Sequence, residues 1–304
     1  MVIRAHAFLA AFAITVSAAL LNVSRADAPP GHDKAYWLDL KAKSYKLPQG
    51  ESALPLALET AALLGSTDPV LRDGVAYEGL VAWVYQDERL DAAELNVLLT
   101  TLAANAKRGL GEEIGDGLFL RSFSILALSV LAAEDLKKPF LDEPQFESLV
   151  ALAVDELVRE RDLRGYVPGK GWGHATAHCA DLLKFLSRGH LLRAQQQARI
   201  VAAIAGRLRS AGQVFVWGED ARLAAALTAV AKRADADPTP FNEWFKQLRE
   251  EHAAVWSGPF DPARYVPVRT QLNTLSAFAA DLDVDTGPAG TIRTAVHLLR
   301  AVAQ

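Results

Sequence analysis

Among its 304 residues the chain has one cysteine, Cys179, and one methionine, at its start. A lone thiol forms no intramolecular disulfide and excludes every cysteine-rich zinc ribbon or iron–sulfur arrangement, so packing alone must hold the fold. Positive charge is not in excess either: 32 Lys and Arg stand against 36 Asp and Glu, a formal net charge of -4. Without a basic field the chain does not have the character of a nucleic-acid binder. The strict apolar/polar alternation of strands hardly occurs. What is abundant is apolar: 51% of residues are hydrophobic and 22% charged, enough for a sizeable core and far from the composition of a disordered segment.

Residues 1–28 read as an export signal. Arg4 is followed by an apolar run from Ala7 to Leu21 and by Ala26-Asp27-Ala28, the small-x-small pattern that signal peptidase accepts. The run, about 15 residues long, falls short of the roughly 20 that span a bilayer. Removal is therefore expected, leaving a periplasmic or secreted protein with no membrane span. The expected organisation is a signal peptide over 1–28, a linker over 29–50 and a helical-repeat domain over 51–304.

From there on, apolar residues recur at helical spacing. Leu95, Leu98, Leu99 and Leu102 form one stripe, introduced by Asp91 with Glu94 three residues later, a capping-box arrangement. Phe146, Leu149, Val150, Ala153, Val154 and Leu157 form a second, with Pro144 in a first turn where its missing N–H has no partner to lose. Ile200, Val201, Ile204 and Leu208 make a third, and Phe241, Trp244, Phe245 and Leu248 a fourth, capped by Thr239-Pro240. Between them lies a second set of helices, each carrying a marker near its start: Arg72, Arg121, His174, Arg222 and Arg269, at intervals of 49, 53, 48 and 47 residues. Two helices per period of this length predict an all-α fold, a HEAT-like α-α superhelix (solenoid) of about five helix pairs plus a closing helix from roughly Ala289 to Val302. A closed helical toroid is the alternative. For the arginines, a structural ladder bridging neighbouring repeats competes with an anion-binding row on one edge.

The third repeat departs from the others. Gly165, Gly169, Gly171 and Gly173 fall close together ahead of a helix carrying His174, His178 and Asp181. Positions i, i+4 and i+7 share one helical face, here rotated about 100° from the core stripe of Ala175, Cys179, Leu182, Leu183 and Leu186. The glycine spacing is not that of a Walker A or dinucleotide loop, so the stretch reads as a plain connection between helices. Two histidines one turn apart can hold a divalent metal, but Asp181 lies about 10 Å along the axis from His174. A metal on His174 and His178 would therefore take its acids from Asp162, Glu219 or Asp220. Acid–base work without metal and a purely structural polar cluster are the other readings. Arg121, Arg164, Trp172 and Arg222 complete the candidate polar site. The sequence calls for no cofactor beyond that metal. Cys179, on the core stripe, reads as a buried hydrophobe, and Ser122 and Ser124 lack the glycines of a nucleophile elbow.

These segments resemble an uncharacterised bacterial family, the domain of unknown function 2785. The stretches that carry the resemblance are Leu71-Arg72-Asp73, Phe119 to Ser124, Glu160 to Tyr166, Lys170 to His174 with Ala177-His178 and Ala180-Asp181, and Gly218 to Asp220 with Arg222-Leu223. The resemblance implies an all-helical fold and supplies no mechanism; many relatives look cytoplasmic, so this chain departs in its signal. The expected function is binding of a ligand or protein partner through the polar face around His174 and His178. The alternative is a hydrolase using the His pair, with or without a divalent metal.

Overall fold

A computed structural model describes residues 31–112, 114–282 and 287–302; the expected signal peptide at 1–28 lies outside the described residues. Short polar caps start most of the helices. In α1 (Lys34–Ala42) the Asp33 carboxylate receives the Tyr36 N–H, and α2 is Ala53–Leu63. α3 is one helical run made of Pro69–Leu71, Arg72–Tyr77, Glu78–Leu80 and Val81–Gln86. Asp68 caps it, and its second and fourth stretches are wound as π-helix. α4 (Ala92–Lys107) has the expected capping box of Asp91 and Glu94, and α6 (Glu143–Arg159) has another, of Asp142 and Gln145. Between these two lies α5 (Gly117–Lys137).

A two-stranded hairpin, β1 (Tyr166–Val167) and β2 (Gly171–Trp172), precedes α7 (Ala175–Arg188). Then follow α8 (Ala194–Ser210), α9 (Glu219–Ala231), α10 (Thr239–Trp256), α11 (Pro262–Asp281) and α12 (Gly287–Val302). α10 starts at Thr239 itself, one residue earlier than Thr239-Pro240 suggests as cap and first turn, because Asp237 receives the Thr239 N–H.

Among the described residues the protein is all-α apart from this hairpin. α2, α4, α6, α8, α10 and α12 pack each on the next in one row, and α3, α5, α7, α9 and α11 do so in a second row against the first. The core lies between the rows, where the predicted stripes of Leu98, Leu102, Leu149, Ile200 and Phe241 are buried. Each such side chain contributes about 1.5–3 kcal/mol on burial. α5 is long and apolar enough to cross a membrane, yet most of it is buried inside the fold, against α3, α4 and α7.

Two expectations are corrected. The stretch 29–50, read as a linker, holds α1, whose Trp37 and Leu40 are buried against the core. Nine residues with two buried side chains make too short a stripe to be visible as periodicity. The glycine-rich stretch before α7, read as a plain connection, folds as the hairpin. Val167-Pro168-Gly169-Lys170 makes its turn, with the Lys170 N–H donating to the Val167 carbonyl at 3.0 Å and Gly169 at φ +76°. Proline second and a left-handed glycine third are the demands of a type II turn.

The hairpin is docked on α3 and on the residue that precedes α5. Arg72, fully buried, donates to the Lys170 carbonyl at 2.8 Å and to the Ser66 carbonyl at 2.9 Å, with its guanidinium over the Phe119 and Phe123 rings. The Lys170 ammonium meets Asp116 at 2.7 Å. Of the remaining arginines at that spacing, Arg121 reaches Glu160 at the end of α6 and Arg222 reaches Asp181 on α7, while Arg269 is exposed.

Candidate functional site

The backbone leaves ordinary geometry where the hairpin meets α7. His174 sits at φ +57°, in the left-handed region, which costs a non-glycine residue about 1–3 kcal/mol and recurs at functional sites. The surroundings impose it. Its N–H donates to the Arg164 carbonyl at 3.0 Å, its carbonyl accepts the His178 N–H at 3.0 Å, and the Gly173 N–H donates to the Gly165 carbonyl at 2.7 Å. A Cβ on Gly173 would lie 2.5 Å from Leu118 Cδ2 and 2.9 Å from the Arg164 oxygen, so only glycine lets the hairpin close against α5.

Hydrogen bonding sets the state of both imidazoles. His174 Nε2 lies 2.9 Å from the Trp217 carbonyl oxygen. A carbonyl only accepts, so Nε2 carries the proton. Burial, aided by the nearby Arg222, holds this imidazole below its usual range. It is therefore neutral, with Nδ1 a bare acceptor. The Glu219 carboxylate, 3.9 Å from Nε2, is beyond hydrogen-bond reach and accepts the Trp217 N–H at 2.8 Å instead; burial raises its own pKa.

His178 is 4% exposed, and its Nδ1 lies 2.7 Å from Ser122 Oγ. The Ser122 hydroxyl also meets the Gly173 carbonyl. Since that carbonyl cannot donate, the serine proton goes to Gly173 and the serine oxygen accepts from His178 Nδ1–H. Burial first, then the neighbouring His174 and Arg222, push His178 well below its usual range. Its Nε2 is thus a bare acceptor as well.

Both rings line a cavity of about 380 Å³, at the small end of the roughly 300–1,000 Å³ typical of ligand sites. α3 supplies Asp73 and Tyr77 from its first π-wound stretch, and α5 supplies Phe123. Trp172 comes from β2, Trp217 from the loop before α9 and Arg222 from α9. The charged groups arrive paired. Asp73 Oδ1 and Arg72 Nε form an ion pair at 2.8 Å without hydrogen-bond alignment, and Arg222 pairs with Asp181, which Lys184 also contacts at 3.1 Å. Burial, with Asp181 adding, raises the Tyr77 phenol and keeps it protonated.

Trp172 stacks on His174 with ring centroids 4.9 Å apart and meets Trp217 and Tyr166 edge-on at 5.8 and 5.3 Å. These three aromatics are 38%, 48% and 46% exposed respectively, an aromatic lip on a polar cavity. A larger cavity, about 670 Å³, lies at the other ends of α7 and α9; Arg233 there is held by Asp235 and by the Ser187 and Gly189 carbonyls.

The candidate residues read from the sequence divide into two groups. Trp172, His174, His178 and Arg222 line the cavity, with Asp181 and Glu219 immediately behind them. Asp220 receives only the Ala221 N–H, at 2.9 Å. Arg121, Asp162 and Arg164 do not line the cavity. Arg121 grips Glu160 at 2.6 and 3.1 Å, and Arg164 grips Asp162 at 2.8 and 2.6 Å. One residue is about 100° of helical rotation, so Arg121 faces the chain after α6 while Ser122 and Phe123 face α7.

Among the described residues no three His, Cys, Asp or Glu side chains converge as metal ligands. The Asp162 carboxylate, a proposed third ligand, is occupied by Arg164 and by the Gly115 N–H at 3.3 Å. The Cys179 thiol is buried, donates to the Ala153 carbonyl and has its pKa raised by desolvation, which keeps it protonated.

Sequence reasoning passed over Asp73, Tyr77, Ser122 and Phe123 as site residues. The period already pointed at them: each lies within five residues of Arg72 or Arg121, as His178 does of His174. The cavity is thus built from the N-terminal halves of α3, α5, α7 and α9, with Trp172 and Trp217 from the segments that precede the last two.

A family model described as protein of unknown function, DUF2785, matches residues 107–276, a span that holds all of the cavity except the contribution of α3. No curated protein and no solved structure matches the chain.

Proposed function

The chain belongs to the DUF2785 family, and on that premise we propose that it is an exported helical-repeat protein that binds a small ligand, free or carried by a partner, in the cavity around His174 and His178. The observation that carries this reading is the pair of neutral imidazoles lining the cavity. Each has one nitrogen committed to the fold and the other left as an acceptor. Buried polar groups are normally satisfied, and a site that leaves acceptors open beside a concave aromatic surface is suited to a ligand that donates to them. Two rows of helices packed in chain order, with a period of 47 to 53 residues, support a HEAT-like superhelix as the frame. The N-terminal pattern of residues 1–28 supports export.

Thermal-shift screening against small molecules of varied class tests the reading. A ligand that raises the melting temperature of the wild type and not of His174→Asn, a change that tolerates the left-handed backbone, is the expected outcome; failure of every class sinks it.

The hydrolase reading has the Ser122–His178 contact on its side. In the hydrogen-bond arrangement derived above the serine proton points to Gly173, away from the base, which favours binding over nucleophilic attack. Turnover of ester or amide substrates that Ser122→Ala abolishes would reverse that order. For the metal-dependent form, elemental analysis of protein purified without a His tag decides: stoichiometric metal lost in His174→Ala/His178→Ala would establish it, and none in either would remove it.

A further inference from the structure

The chemistry of the lining narrows the ligand, an argument that rests on the cavity being a binding site. Its charged groups are paired, Asp73 with Arg72 and Arg222 with Asp181, which Lys184 shares, so a charged ligand would lose its hydration and compete with those pairs for a counter-charge. The bare nitrogens, His174 Nδ1 and His178 Nε2, accept hydrogen bonds and cannot donate, whereas the Arg222 guanidinium donates and the Tyr77 hydroxyl does both. The ligand therefore needs donors and acceptors close together.

The aromatic lip adds a second demand. Tyr166, Trp172 and Trp217 are packed on one another at centroid distances of 5.3 to 6.4 Å, which leaves no space between them for an ammonium group enclosed by rings as in a cation-binding cage. They offer instead the exposed parts of their rings to something flat and apolar on one face.

We infer that the cavity takes a neutral, polyhydroxylated ring, a sugar, whose C–H face lies on one exposed ring of the lip, Trp172 and Trp217 standing at 77° to each other, while its hydroxyls donate to His174 and His178 and accept from Arg222. Adjacent hydroxyls supply the required alternation of donors and acceptors, and a pyranose carries the apolar face that an aromatic platform needs. The same ring is presented by a free monosaccharide and by the end of a glycan chain.

Isothermal titration calorimetry of the purified protein tests this. One arm uses glucose, galactose, mannose and N-acetylglucosamine; a second uses the disaccharides maltose and chitobiose. A third holds glucuronate and glucosamine as charged counterparts, together with adenine, uracil and amino acids. Saturable binding in the first or second arm is expected, weakened tenfold or more in both Trp172→Ala and His178→Gln and unchanged in Trp256→Ala, a remote tryptophan that is 60% exposed. Circular dichroism confirms that each variant is folded. Tighter binding of disaccharides identifies a glycan end, and equal binding a free sugar.

Binding of a charged compound, base or amino acid that His178→Gln abolishes, with no sugar bound, overturns the sugar inference and leaves the cavity reading standing. Silence in every arm overturns both. Sugar binding that survives Trp172→Ala and His178→Gln overturns the placement.

Discussion

Arg121 and Ser122 are neighbours in the chain and face two regions built on opposite rules. On the Arg121 side every charge but one is answered. Glu160 takes both arms of Arg121 and the Asp162 N–H at 2.8 Å, Arg207 donates to the Leu157 and Glu160 carbonyls, and Arg164 forks onto Asp162. The exception is Glu156, whose oxygens have no hydrogen-bond partner and whose pKa burial pushes up to about 8. On the Ser122 side each imidazole is half answered and the open half borders a cavity. A closed network of buried charge holds helices in register, whereas a half-closed one next to open space keeps bonding capacity for something that arrives later. Burial alone does not tell the two apart, since Arg121 and His178 are both almost fully buried; the count of satisfied donors and acceptors does.

The largest effect should come from the closed side. Arg121→Met strands Glu160 as a buried, unpaired carboxylate, and breaking such a pair costs about 3–5 kcal/mol. Urea denaturation should show this while ligand affinity of the folded fraction is retained; a loss below about 1 kcal/mol would break the contrast between the regions. Next is Gly173→Ala, which forces a methyl group against Leu118 and the Arg164 carbonyl. Overpacking of this kind costs about 1–3 kcal/mol, and here it should weaken ligand binding too, because it displaces the backbone that orients His174.

The pH dependence sharpens the comparison because Glu156 and His178, one from each region, slope in opposite directions. Glu156 keeps its proton in the fold up to about 8, against an ordinary carboxyl value of 4.5. Between those values the unfolded chain has lost the proton and the folded chain has not, so stability falls as pH rises, by at most about 1.4 kcal/mol per unit, and levels off above pH 8. Glu156→Gln should flatten that slope in denaturation curves taken from pH 5 to 8. For His178 the folded value is depressed below 6.5. Its contribution is present above that pH and lost as the pH falls below it, and His178→Gln should remove this acid-side loss. The smallest change in stability belongs to Trp172→Ala, under about 1 kcal/mol for a partly exposed side chain, although its effect on binding should be among the largest. A variant that barely alters melting yet abolishes binding is what separates a site residue from a packing residue.

Much of the frame was legible beforehand. The capping box at Asp91, the stripes through Leu98, Leu149, Ile200 and Phe241, and the spacing of Arg72, Arg121, His174 and Arg222 all recur in the fold. Trp172, His174, His178 and Arg222 were legible as a site because their stretch departs from its repeat. Arg121, Asp162 and Arg164 drew the same attention for their charge, but spacing along a chain does not reveal whether a charge has found its partner. The hairpin was carried by Pro168-Gly169, a turn signal outweighed by the helical pattern on either side. α1 was hidden by its length.

Local sequence determined where the helices lie and the near-constant spacing of their markers, because caps, turn residues and 3.6-residue periodicity act over a few residues at a time. The tertiary structure alone decided the left-handed turn at His174, the sorting of Arg121 from Ser122, and which nitrogen of each imidazole is bare. Those depend on which group lies opposite each donor, and the partners are far away in the chain: 43 residues from His174 to Trp217, 56 from Ser122 to His178 and 98 from Arg72 to Lys170. A hydrogen bond is set by position in space, which only the packing of one helix on another supplies.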